Sequence, residues 1–232
     1  MKFGVFKLVL ILFCFFISFA LAVGPSGGEI TSGISSSAIA DSPGTINAIA
    51  GNVTELNIFG YTTTQTWQGY FGNVTGTIQL ADSSDNVMYN WSLASPEGEV
   101  YASTASSITW SSIACASQAQ QTTLESNFNI ASDDVDGIDE TFNLNNHDLF
   151  YTNNILFGSG VCNNTKVFNN EGAGTFDEVL LSDGTNIVFA ALLQEDVIGF
   201  DGKTHDFEML VPEDGHEDDI AVTQYNFWVE LE

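Results

Sequence analysis

Residues 176–193 read FDEVLLSDGTNIVFAALL, and this stretch decides the fold. Two apolar runs flank Asp183-Gly184, a dipeptide that favours the tight turn of a β-hairpin. Residues 74–93 repeat the arrangement, with apolar residues alternating before and after a polar turn at residues 82–86. The two segments predict antiparallel hairpins, in which consecutive strands pair with each other.

Strand patterns continue on both sides of these hairpins. Strand-like segments are VTELNIF (53–59), GEVYAST (98–104), SSITWSS (106–112), NNILFGSGVC (153–162), TKVFN (165–169), HDFEMLV (205–211) and QYNFWVELE (224–232). One segment, ASQAQQTTLES (116–126), favours a short helix. Strands at this spacing predict an all-β fold, an antiparallel β-sandwich of the immunoglobulin-like or jelly-roll-like kind, over residues 46–232.

Alternation also predicts which side chains are buried. In VMYNWSL (87–93), Val87, Tyr89, Trp91 and Leu93 share one parity, and the residues between them are mostly polar. Because successive side chains of a strand point to opposite faces, one parity is expected in the core and the other in water. We therefore expect Trp91 to fill the core.

The first 22 residues have the anatomy of a secretory signal peptide. A start with two lysines precedes an apolar run, and Ala20-Leu21-Ala22 supplies a small-x-small cleavage pattern. An uncleaved transmembrane anchor is the alternative, although the run is short for a spanning helix. Residues 23–45, rich in Gly, Ser and Pro, predict a flexible tether before the β domain.

The net charge of the chain excludes some classes of binding partner. The predicted mature chain sets 30 acidic residues against Lys166 and Lys203, for a formal charge of −28, and it contains no arginine. Such a chain repels nucleic acid and anionic membrane surfaces. Residues 132–232 hold 22 of the acids, and this step in composition marks a possible subdomain boundary near residue 131.

Two cysteines remain after the predicted cleavage, Cys115 and Cys162. In an oxidising exterior an even pair most often forms a disulfide. Two buried free thiols are the alternative. We expect the disulfide.

Four N-glycosylation sequons follow the predicted signal peptide, beginning at Asn52, Asn73, Asn90 and Asn163. Asn90 lies on the polar parity of its predicted strand, where a glycan can project into solvent. We expect at least one of the four to be glycosylated.

The segment SDDVDGIDETF (132–142) concentrates carboxylates on a predicted turn. Hard divalent cations such as calcium bind clustered carboxylate oxygens. The candidate metal ligands are Asp133, Asp134, Asp136, Asp139 and Glu140, with calcium as the ion. A solvated acidic turn without an ion is the competing interpretation.

The segments GNVTGTIQLADSSDNVMYNWSLASPEGEVYAS (72–103), DGIDETF (136–142), GFDGKTHDFEMLVPEDGH (199–216) and YNFWVELE (225–232) resemble a group of secreted or cell-surface proteins of uncultured archaea with no known activity. The resemblance covers most of the chain after the signal peptide. It implies an envelope or secreted setting and carries over no catalytic residue.

Three functions compete at this point. The first is a structural cell-surface protein that assembles with envelope proteins or itself through edge-strand pairing. The second is an extracellular module that binds calcium or glycans, with Trp228 as the stacking residue because it lies on the polar parity of its strand. A hydrolase using paired carboxylates ranks third, and we do not expect an enzyme.

Overall fold

A computed structural model describes residues 24–93, 96–168, 174–216 and 221–231. The predicted signal peptide therefore lies outside the described residues. Strands account for 34% of the described residues and helices for 9%. All strand pairs of the described part are antiparallel, which confirms the all-β prediction.

The strands are β1 Ser26–Gly27, β2 Trp67–Gly72, β3 Thr77–Ala81, β4 Val87–Ser92, β5 Gly98–Ser103, β6 Ala114–Cys115, β7 Phe150–Thr152, β8 Ile155–Phe157, β9 Asn164–Val167, β10 Phe176–Ser182, β11 Ile187–Leu192, β12 Val197–Ile198, β13 Thr204–His205, β14 Phe207–Pro212 and β15 Asn226–Leu231. The helices are α1 Gln118–Asn127 and α2 Ile138–Thr141, and a 3₁₀ turn covers Trp110–Ser112.

The predicted hairpin of residues 176–193 forms the centre of a seven-stranded sheet. Its strand order is β1-β15-β5-β11-β10-β6. Strand β9 pairs with the same edge of β10 as β6, at the opposite end of that strand. Asp183 N donates to Asn186 O at 3.2 Å to close the turn, and Gly184 has a φ of 98°, which favours glycine. Every residue of β10 is buried, so both faces of this sheet are covered.

One face of the sheet packs against the β2–β14 pair and the two helices. Its core joins Leu180 and Phe189 of the sheet to Met209 of β14, Leu124 of α1 and Phe142 of α2. Helix α1 begins with a capping contact, because the Gln120 side chain accepts a hydrogen bond from Ser117 N at 2.9 Å.

The opposite face packs against the β7–β8 hairpin and the 3₁₀ turn. There, Tyr101, Val179 and Val188 of the sheet contact Phe150 and Phe157 of the hairpin. The two phenylalanine rings stack 4.8 Å apart. The sheet thus has a second core, on the face that would be exposed to solvent in a simple two-layer fold.

Three local predictions are wrong. Residues 53–59 form no strand and are exposed, and residues 106–112 contain the 3₁₀ turn in place of a strand. The β3–β4 hairpin has the predicted turn, yet Trp91 is 50% exposed. In that hairpin no layer of the described molecule covers the apolar face, since every residue of both strands is exposed.

Candidate functional site

The acidic turn folds against helix α1 and forms a cluster of three carboxylates. Glu125 of α1 meets Asp139 and Glu140 of α2, and one oxygen from each lies within 4.8 Å of the others. Glu125 is 4% exposed. Its Oε1 accepts hydrogen bonds from Ile138 N at 3.1 Å and Asp139 N at 3.2 Å. The Glu125 carboxylate therefore caps the first turn of α2.

The three carboxylates perturb one another's pKa values, and one of their oxygens is unsatisfied. Burial raises the pKa of Glu125. The hydrogen bond between the two α2 carboxylates lowers the pKa of Asp139 and raises that of Glu140. Asp139 Oδ1 is buried and has no hydrogen-bond partner among the residues that the structure describes. A hard cation at this point would satisfy that oxygen and remove the repulsion between the carboxylates.

The five predicted metal ligands divide between this cluster and its surroundings. Asp139 and Glu140 belong to the cluster. Asp134 Oδ2 accepts from Ala131 N at 2.8 Å and lies 3.8 Å from His216 Nε2, while Asp136 accepts from the Thr64 hydroxyl. Asp133 is exposed. The structure thus uses Asp134 and Asp136 to fasten the turn to neighbouring segments.

Sequence reasoning missed Glu125, the most buried member of the cluster. It precedes Asp139 by 14 residues and lies in a helix of amides and hydroxyls. The available signal was its position in the last turn of the predicted helix. The acidic turn follows that helix, and its backbone N–H groups can donate to a carboxylate.

Trp228 lies on the second core of the sheet. It is half-buried and meets Trp110 edge to face, with ring centroids 5.7 Å apart. Trp110 in turn lies 5.0 Å from the ring of Tyr101. The parity that appeared polar in the sequence is therefore largely covered, and Trp228 presents only part of its ring to solvent.

A pair of buried glutamates adjoins these aromatic rings. Glu99 and Glu230 are directly opposite each other on β5 and β15, and the Tyr101 hydroxyl lies 3.1 and 3.0 Å from their carboxylates. Glu230 also accepts two contacts from Asn153 N, at 3.0 and 2.9 Å. Asn153 and Asn154 both have positive φ, as a type I′ turn requires. The pair fastens the β7–β8 hairpin to the sheet.

The predicted disulfide is present. Cys115 of β6 and Cys162, just before β9, are bonded with their Cα atoms 5.1 Å apart. Both strands lie along the same edge of β10, so the bond closes this edge of the sheet.

The sequons differ in accessibility. Asn52, Asn73 and Asn90 are exposed, whereas Asn163 is half-buried and its Oδ1 accepts from Asn145 Nδ2 at 3.1 Å. Three of the four are therefore open to modification.

The β3–β4 hairpin carries an exposed apolar face. Ile78 is paired with Trp91, and Leu80 with Tyr89, so these side chains share one side. The rings of Tyr89 and Trp91 lie 4.8 Å apart. Hydrophobic side chains are also exposed before β2, at Ile46, Ile49, Val53, Leu56, Ile58, Phe59 and Tyr61. Contiguous exposed apolar surface is typical of interaction sites.

Comparisons with protein-family models, with curated proteins and with solved structures give no match to this chain.

Among the helices of the described ranges, none combines the length and apolar character needed to cross a membrane.

Proposed function

We propose that this protein is a secreted, acidic structural component of the cell surface, which assembles with itself or with other envelope proteins. The observation that carries the proposal is the exposed apolar face of the β3–β4 hairpin on a predicted mature chain of formal charge −28. Charge keeps such a molecule soluble, so a concentrated apolar face indicates a protein contact.

Three further features support this proposal. The disulfide between Cys115 and Cys162 suits an oxidising compartment, and exposed Asn52, Asn73 and Asn90 suit N-glycosylation. The resemblance to archaeal envelope proteins points to the same setting. We also assign the fold to the β-sandwich class, because β14 packs across β10 and β11 as a second sheet layer.

Cell fractionation with immunogold electron microscopy tests the location. We expect gold particles on the cell surface, and an intact mass that shows loss of residues 1–22 and added glycan. Asn→Gln variants at positions 52, 73 and 90 would remove the added mass. Protein found inside cells with residues 1–22 still attached would contradict the proposal.

We propose calcium binding at Glu125, Asp139 and Glu140 as a second function. The specific observation is the buried, unpartnered Asp139 Oδ1 within a group of three carboxylates. Its oxygen donors are those that calcium prefers, and the bound ion would brace α2 against α1.

A further inference from the structure

Two apolar surfaces of this chain are exposed at once. We define the arm as residues 46–61 and the hairpin face as Ile78, Leu80, Tyr89 and Trp91, which the strand pairing places on one side. Within the arm, Ile58 is 83% and Phe59 91% exposed. The Asn57 side chain donates to Glu55 Oε1 at 3.3 Å, which places these two polar residues side by side. Leu56 and Ile58 occupy the alternate positions of this segment.

The hairpin face is held out from the rest of the molecule. Gly76, just before β3, packs so closely on Leu231 that a Cβ atom there would lie 2.2 Å from Leu231 Cδ1. Beyond this base, all residues of β3 and β4 are exposed. The sequon residue Asn90 is paired with Gln79 on the opposite side of the hairpin, so a glycan at Asn90 leaves the hairpin face open.

Charge favours contact between copies through these surfaces. Residues 42–93, which include the arm and the hairpin, contain Glu55, Asp82 and Asp85 as their only acidic residues. Residues 132–232 contain 22 acids. Because like charges oppose association, two copies repel each other least when they approach through residues 42–93.

The area is sufficient for a reversible contact. Four large side chains, each about half exposed, present on the order of 400 Å² at about 200 Å² per residue, and the arm offers a similar area. A stable interface buries about 800 Å² per partner. We therefore expect association that depends on protein concentration.

We propose that the arm of one copy docks on the hairpin face of a second copy, with Leu56 and Ile58 against Tyr89 and Trp91. This inference rests on the proposed assembly function and names the partner and the contact. Arm and face are different surfaces, so the contact is head-to-tail and a bound copy still offers both to further neighbours. Contacts of this type build open filaments when the rotation does not close a ring.

The positions of the two surfaces favour docking of the arm on a second copy over docking on the hairpin face of its own chain. Thr64 and Trp67 bind the end of the arm to Asp136, whereas the base of the hairpin is held at Leu231. The six residues of β2 separate these two points by about 20 Å at 3.3 Å per residue. In the single chain both surfaces remain exposed.

Sedimentation of the mature protein, begun at Val23, tests this inference at physiological salt. We expect the average mass to rise with concentration. An arm variant, Leu56→Ser with Ile58→Ser, and a face variant, Tyr89→Ser with Trp91→Ser, should both remain monomeric. Mixed together, they should form 1:1 complexes and nothing larger, because one supplies the intact face and the other the intact arm.

Matched controls separate the docking contact from general apolar exposure. Val87→Ser lies on the opposite side of the same hairpin, because Val87 is paired with Ala81, and Val222→Ser lies far along the chain; the two side chains are 48% and 92% exposed. Both controls should assemble like the unsubstituted protein. Hydrogen exchange on the unsubstituted protein gives a measurement free of folding defects: amides of residues 46–61 should become protected as concentration rises.

The outcomes distinguish the two proposals. If the unsubstituted protein assembles but the arm and face variants do so equally well, the docking contact is wrong and the assembly function stands. If the mixture of variants stays monomeric while each is folded, the docking contact is also wrong. If the unsubstituted protein remains a monomer at every concentration, both the docking contact and self-assembly are refuted.

Discussion

Glu178 carries a carboxyl group in the middle of the molecule. It lies in β10 with 0% exposure, and its Oε2 accepts a hydrogen bond from Leu210 N of β14 at 2.8 Å. Oε1 has no hydrogen-bond partner within the part of the chain that the structure describes. Burial raises the pKa of Glu178 well above its ordinary value, so the neutral acid is the form that the core favours.

The variant Glu178→Gln should change how stability depends on pH. Because its folded pKa is raised above the unfolded value, Glu178 contributes most to stability below about pH 4.5, and this contribution is lost as pH rises. Glutamine keeps an oxygen for Leu210 N and cannot ionise. We expect its melting temperature, relative to the unsubstituted protein, to increase from pH 4 to pH 8. An unchanged difference across this range would show that Glu178 has the same pKa in the folded and the unfolded protein, which would contradict this account.

Gly98 should not tolerate a side chain. Its φ is 122°, and an added Cβ would lie 2.1 Å from the carbonyl oxygen of Glu230. Gly98→Ala should therefore cost at least about 1–3 kcal/mol in the free energy of unfolding, as strain and overpacking do elsewhere. Denaturant unfolding measures this cost. Gly69→Ala is the matched control, because its nearest neighbour would lie at 4.0 Å; equal losses would contradict this explanation.

At the scale of elements, the contact between α1 and α2 is the place where a cation should act. We expect calcium to raise the melting temperature more than sodium chloride of the same ionic strength. At 100 times the dissociation constant the gain is about 2.7 kcal/mol. Asp139→Asn with Glu140→Gln should abolish the difference between the two salts.

A control of equal charge makes this calcium test specific. Asp82→Asn with Asp85→Asn removes the same number of carboxylates from the turn between β3 and β4, outside the cluster. This variant should keep the full calcium response. If sodium chloride stabilises equally, or if both variants lose the response alike, calcium acts by screening alone.

Local chemistry predicted the elements better than it predicted their surroundings. The Asp183-Gly184 turn and the alternation of Phe207, Met209 and Val211 gave β10, β11 and β14, because turn geometry and strand period depend on adjacent residues. Trp91 and residues 53–59 follow the same period and remain exposed. Alternation defines which side chains share a face, whereas the layer that covers the face comes from distant residues.

The candidate cation site shows the same limit. The acidic turn identified Asp139 and Glu140 from adjacent carboxylates. Glu125 lies beside them because α1 packs against α2. Asp134 and Asp136 instead accept hydrogen bonds from Ala131 and Thr64. Composition therefore located the site to one turn, and tertiary packing selected its members.

For the whole molecule, repulsion among carboxylates opposes folding. The described residues include two lysines: Lys166 pairs with the buried Asp177 at 2.7 Å and Lys203 pairs with Asp201 at 3.2 Å. The sequence sets 30 acidic residues against four lysines and no arginine. This imbalance concerns the entire fold, since a compact state brings the charges closer together.

Salt should therefore stabilise the protein. Screening shortens the Debye length from about 30 Å at 0.01 M salt to about 8 Å at 0.15 M, and repulsion is stronger in the folded state. We expect the melting temperature to rise across this range in sodium chloride, measured by circular dichroism. A melting temperature that falls with salt would contradict this account.

The turn at Asp183-Gly184 also affects the chemical stability of the chain. Among aspartates, those followed by glycine are the most prone to succinimide formation, in which the glycine nitrogen attacks the side-chain carbonyl. Here the Gly184 N–H is donated to Ser182 Oγ. Although partial burial acts in the other direction, N–H donors from Asn186, Thr109 and Thr185 lower the pKa of Asp183 to about 2, and the ionised carboxylate is the less reactive form.

The same protection extends to the other Asp-Gly pairs of the chain. The glycine N–H groups of residues 137, 202 and 215 are each donated to a backbone carbonyl. The folded protein therefore holds all four nitrogens away from attack, and isoaspartate should accumulate only when the chain unfolds. In the extracellular setting proposed above, the stability of the fold would then set the rate of isoaspartate formation.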